Sequence, residues 1–113
     1  MLAKSNRLTS AEVEEVLSKG RSIFAPVPKN QKNLISAKFL AGSGRFKAAA
    51  IAPKSVAKGA VERNRLRRAV YRAIASLELP KKPGTAVFFV RNIPKAPLSP
   101  AFAEELRALF AKI

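Results

Sequence analysis

Apolar positions along the chain follow two periods, and the change from one to the other marks out its elements. Val13, Val16 and Leu17 fall at helical spacing behind Thr9-Ser10-Ala11-Glu12. That tetrapeptide is a capping box, with Thr9 as N-cap, Glu12 at the third helical position, and Leu8 and Val13 placed for a hydrophobic staple. Lys19 and Gly20 supply a last-turn cation and a stop, so a first helix is expected over about 10–19. Residues 21–27 (RSIFAPV) read as a short strand, and Pro26 and Pro28 assign it to a sheet edge. Residues 34–40 (LISAKFL) and 45–52 (RFKAAAIA) read as two more strands, although Ala48–Ala50 also suits a helix. The turn signal Gly42-Ser43-Gly44 between them suggests an antiparallel hairpin.

The clearest helix covers 61–78, where Leu66, Val70, Ala73, Ile74 and Leu77 recur on one side and Pro80 and Pro83 close the segment. Thr85 to Arg91 (TAVFFVR) is an almost unbroken apolar run, the mark of a strand covered on both faces. After a Pro-rich loop, Ser99-Pro100 is an N-cap with a first-turn proline, and Phe102, Leu106, Leu109, Phe110 and Ile113 stripe a last helix. The order is α-β-β-β-α-β-α. It predicts a single domain over 1–113 of the α/β (α+β) type, a two-layer sandwich with one four-stranded sheet.

Composition turns this outline towards function. The 113 residues contain 22 Lys+Arg against 7 acids, a formal net charge of +15, with a pI near 11.3. A hydrophobic share of 48% is enough for a core, so this is no disordered basic tail. All the acids are Glu, and the chain has no His, Cys, Asp or Trp. Zinc sites and nucleophilic triads therefore lack their ligands and bases. The scattered Glu residues do not form the carboxylate cluster of a two-metal nuclease. No apolar run reaches the length of a membrane span, and the N-terminus lacks the apolar centre of a signal peptide. A cytoplasmic location is expected. A folded domain of this charge repels itself, which points to a polyanionic partner, nucleic acid before an anionic membrane.

The cations are concentrated. Residues 54–72 hold Lys54, Lys58, Arg63, Arg65, Arg67, Arg68 and Arg72 with only Glu62 among them. At about 100° per residue, Arg65, Arg68 and Arg72 share a narrow arc away from the stripe through Leu66, Val70 and Leu77. Arginine forks onto phosphate oxygens and stacks on splayed bases, and Asn64 suits a base edge or a 2′-OH. Arg63 projects near the apolar side, where it would snorkel or cap. Such a run is often a solvated helix face with surface ion pairs, but Glu62 and Glu78 are too few to pair it. Lys4, Arg7, Lys29 and Lys32 are candidates to extend the basic surface, each also readable as a plain solvated cation. Phe88, Phe89, Phe102 and Phe110 read as core.

Ala60-Val61-Glu62-Arg63-Asn64-Arg65-Leu66-Arg67-Arg68 resembles the "AVxRNRxKR" signature of the bacterial ribonuclease P protein component. Asn6-Arg7-Leu8 ahead of an amphipathic helix ending in Lys19-Gly20 is similar to that family's start. Thr85 to Arg91, followed by a helix ending Leu109-Phe110-Ala111-Lys112, is similar to its end. The resemblance implies a protein subunit of a ribonucleoprotein endonuclease whose catalyst is an RNA using Mg²⁺. Such a subunit binds ribonuclease P RNA and the 5′ leader of precursor tRNA, and supports 5′-end maturation at modest Mg²⁺. Arg63, Asn64, Arg65, Arg67 and Arg68 would then lie against the RNA subunit. The resemblance also implies a left-handed β-α-β crossover, against the usual right-handed rule.

The sequence departs from the family in two places. Family members carry aromatic residues on the first helix, facing a leader-binding cleft, where this chain has Val13 and Leu17, which also serve as core. Phe39 is the candidate replacement platform if its side chain points outward, and a core residue if strand alternation turns it inward; Phe24 is a further aromatic candidate. Phe39, Val13, Leu17 and Arg7 form the leader-binding set. The loop Lys54 to Gly59 is one residue longer than the family's "KKxxGx" spacing, which leaves the matching of Lys54 and Lys58 open. An alternative class is a structural RNA-binding protein of ribosomal type. A helix-turn-helix DNA reader is disfavoured because a loop and a strand flank the arginine helix. A membrane-surface helix is disfavoured because Arg65, Arg68 and Arg72 face away from the stripe the sheet needs. No obligate protein partner is expected.

Overall fold

The computed structural model describes residues 10–24, 33–42, 46–77, 84–93 and 97–111. Its elements are α1 (Ser10–Lys19), β1 (Arg21–Phe24), β2 (Ile35–Ala41), β3 (Phe46–Ile51), α2 (Ala60–Ser76), β4 (Gly84–Val90) and α3 (Leu98–Ala111). The expected order α-β-β-β-α-β-α is the observed one. The capping residue Thr9 and the closing prolines Pro80 and Pro83 lie outside the described residues.

The strands form one sheet in the order β1-β2-β4-β3. β1 and β4 each run antiparallel to β2, and β3 runs parallel to β4. The hairpin expected between β2 and β3 is therefore corrected, because β4 lies between them. β4 carries Ala86, Phe88 and Val90 on one face and Val87 on the other, all buried, so it must be covered on both sides and takes a central place. β3 is left at an edge, and α2 closes part of it: the Ala50 N–H donates to the Tyr71 hydroxyl at 3.1 Å.

Strand parity divides the core. Ile23, Ile35, Ala37, Phe39, Ala48, Ala50, Ala86, Phe88 and Val90 face α2 and α3 and pack with Leu66, Val70, Ile74, Phe102, Leu106 and Leu109. This is the sandwich that the apolar stripes of α2 and α3 predict. The Phe110 ring meets Phe46 and Phe88 edge-on, with centroids 5.5 and 5.8 Å apart. α3 is also tied to the sheet by Glu105, whose carboxylate accepts the Ile35 N–H at 2.5 Å. On the opposite face α1 sets Val16 against Ala49 and Val87, with Val13 and Leu40 beside them. Lys47 pairs with Glu12 at 3.3 Å, and the Lys38 ammonium donates to the Leu17 carbonyl at 3.0 Å. Gly20 ends α1 where a Cβ would stand 2.5 Å from the Val16 carbonyl oxygen.

Phe39 belongs to the helix-covered face and is only 6% exposed. Its ring reaches over Gly84, where a Cβ would come within 2.7 Å of Phe39 Cζ. Gly84 also has φ +147, a conformation that favours glycine. Phe39 is thus a core residue, which corrects its expected role as a base-stacking platform.

Candidate nucleic-acid interface

α2 separates its cations by role. Gly59, at its N-cap, has no side-chain cap bond. The Arg63 guanidinium reaches back instead to the loop ahead of the helix, donating to the carbonyls of Ala57 at 3.1 Å and Lys58 at 2.6 Å. Arg63 is half-buried and holds the entry loop, in keeping with its projection towards the apolar side of the helix. Asn64, Arg65, Arg67, Arg68 and Arg72 are exposed. Arg67 donates to the Asn64 side-chain oxygen. Arg65 has a loose pair with Glu62 at 3.7 Å, and both side chains meet solvent, so the pair holds the guanidinium weakly. Arg68 and Arg72 have no acidic partner among the described residues. Lys54 and Lys58 are exposed on the loop that leads into α2. The result is a cationic helix face whose charge is scarcely neutralised by the protein, the form of a phosphate-binding surface.

A second surface lies on the α1 side of the sheet. Phe24, Ser36, Phe89 and Ile51 are register partners in one row across all the strands. Phe24 is 50% exposed at the β1 edge. The Arg91 guanidinium sits 5.4 Å from the centroid of the Phe89 ring, and its Nε donates to the Ser36 hydroxyl at 2.7 Å. Leu17 of α1 is exposed and Val13 half-buried against the smaller core. Phe24, Phe89 and Arg91 are the aromatic and cationic groups in or beside this row, while Lys38 and Lys47 on the same side are engaged with α1. The sequence pattern alone does not single out Arg91 and assigns Phe89 to the core, although their spacing of two on a strand puts both on one face. Arg7 lies outside the described residues.

A family model described as ribonuclease P matches residues 2–113. The chain belongs to the ribonuclease P protein family. Three solved structures of the Staphylococcus aureus RNase P protein share its fold. One superposes with a TM-score of 0.72 at 16% identity, covering 96% of this chain and 95% of that one. A mutant of the same protein, described as defective in mRNA degradation activity, gives 0.72 at 17% identity over 96% and 88%. A third gives 0.71 at 16% identity over 99% and 92%. No curated protein sequence matches the chain. At this identity the likeness is one of fold. The ribonuclease P signature Ala60–Arg68 forms the opening turns of α2, so the segment that carries the family resemblance also begins the cationic face.

Proposed function

We propose that this member of the ribonuclease P family is the non-catalytic protein subunit of the enzyme. Asn64, Arg65, Arg67, Arg68 and Arg72 bind phosphates and bases of the ribonuclease P RNA, with Lys54 and Lys58 beside them. The 5′ leader of precursor tRNA runs along the open sheet face over Phe24, Phe89 and Arg91, past Leu17 and Val13. Stacking on a ring and on a guanidinium plane suits single-stranded RNA of any sequence. Hydrolysis at the 5′ end belongs to the RNA subunit, whose Mg²⁺ ions are held by RNA. A chain without His, Cys or Asp is suited to binding and orienting rather than to proton transfer or nucleophilic attack. The working location is the cytoplasm.

The observation that carries this reading is the scarcely neutralised arginine face of α2 within the family signature. Its test is the salt dependence of binding to ribonuclease P RNA. Replacing Arg65 and Arg68 with Ala should lower the log–log slope by about 0.7–0.9 for each phosphate that is no longer neutralised. An unchanged slope would contradict the role given to this face. Tight binding to ribosomal RNA in preference to ribonuclease P RNA would favour the ribosomal-type alternative.

A further inference from the structure

A groove of about 630 Å³ runs between the outer side of α2 and the first turn of α3. Its α2 wall is cationic, lined by Arg65, Arg68 and Arg72; the buried Ala69 lies at its base, and Pro97 and Leu98 form an apolar wall opposite. We infer that this groove holds one nucleotide of the bound RNA, turned out of its stack, with its phosphate on Arg68 and Arg72 and its base against Pro97 and Leu98. The inference rests on α2 being the RNA-binding face.

Three features converge on that occupant. The volume is far larger than a bare phosphate needs and lies within the range of small-molecule sites, roughly 300–1,000 Å³. Arg68 and Arg72 are one helical turn apart, so their guanidinium groups repel each other until an anion sits between them. Neither has an acidic partner among the described residues. The opposite wall is apolar, which a phosphate alone would not use but a flat base would, and a guanidinium plane can cover the base's other face. Arg67, on the same helix, does not line the groove, so the site is confined to one side of α2.

The test uses the full chain, isotope-labelled for NMR and titrated separately with AMP, ribose 5-phosphate and inorganic phosphate. AMP should bind about tenfold more tightly than ribose 5-phosphate, the gain from covering a base face. Amide signals of Leu98 and Ala101 should move with AMP and stay still with inorganic phosphate. The double variant Arg68→Ala with Arg72→Ala should weaken all the phosphate compounds together. Equal affinities for AMP and ribose 5-phosphate, or AMP shifts confined to residues 65–72, would overturn the nucleotide groove. Binding to ribonuclease P RNA is measured on the same preparation. Its loss alongside intact AMP discrimination would contradict the proposed function and leave the groove standing.

Discussion

The guanidinium of Arg63 donates to the carbonyl oxygen of Lys58 at 2.6 Å, and so takes one arginine of the family signature out of the exposed cationic face. By donating to the Ala57 carbonyl as well, it ties down the loop that leads into α2. Arg68, five residues on, is exposed and has no acidic partner among the described residues. The same residue type thus holds a loop at one position and faces solvent at the other.

The two arginines should therefore separate in a stability measurement. Arg63→Ala should cost about 1 kcal/mol, because it removes charge-assisted bonds to two carbonyls at a partly exposed site. Arg68→Ala should stay within about 0.5 kcal/mol. Urea unfolding midpoints check this, and equal destabilisation by the two variants would contradict the division.

On the sheet face, Phe24→Ala or Arg91→Ala should weaken binding of a precursor tRNA to the assembled ribonucleoprotein by about tenfold, the effect of removing one stacking partner. Binding of mature tRNA, which has no leader, should not change. An equal decrease with both RNAs would show that these residues do not touch the leader.

The packing of Phe39 on Gly84 leads to the opposite expectation for the buried aromatic. Phe39→Ala should cost about 3–5 kcal/mol in stability. Gly84→Ala should cost about 2 kcal/mol or more, because φ is +147 there and a Cβ would meet both the Phe39 ring and the Leu40 carbonyl. Chemical denaturation measures both. A Phe39→Ala protein of normal stability with reduced leader affinity would put Phe39 back on the RNA surface.

A net charge of +15 should make the free protein sensitive to multivalent anions. Sulfate should raise the melting temperature more than chloride at equal ionic strength, and the excess should shrink in the double variant Arg68→Ala with Arg72→Ala, since an ion held by the native cation cluster stabilises by mass action while screening and the general exclusion of sulfate act on both proteins alike. An equal sulfate excess in the parent protein and the variant would indicate that these arginines form no anion site.

Much of this architecture is legible in the chain. The stripes through Leu66, Val70 and Ile74 and through Phe102, Leu106 and Leu109 define α2 and α3, and the run Thr85 to Arg91 identifies the central strand. The helical projection also separates Arg63 from Arg65, Arg68 and Arg72. Strand pairing is less legible. Gly42-Ser43-Gly44 is a local turn signal, but the partner of β3 is β4, which joins it only through α2. The alternation of Ile35, Ala37 and Phe39 with Ser36 and Lys38 favours an inward Phe39, as found. The facing of Phe89 is hidden, because residues 86–90 are all apolar and show no alternation by which to assign faces. The row from Phe24 through Ser36 to Phe89 exists only once the register is known. The groove beside Arg68 likewise needs Pro97 and Leu98, which are remote in sequence and brought near by the packing of α3 on α2.

The central claim is that this protein binds and orients RNA while the RNA subunit does the chemistry. Incubating precursor tRNA at low Mg²⁺ with the protein alone, a bacterial ribonuclease P RNA alone, and the two together tests it most directly. Cleavage at the mature 5′ end should be efficient only in the combined reaction. Cleavage by the purified protein alone, or no gain when the protein is added to an RNA subunit it binds tightly, would contradict the account.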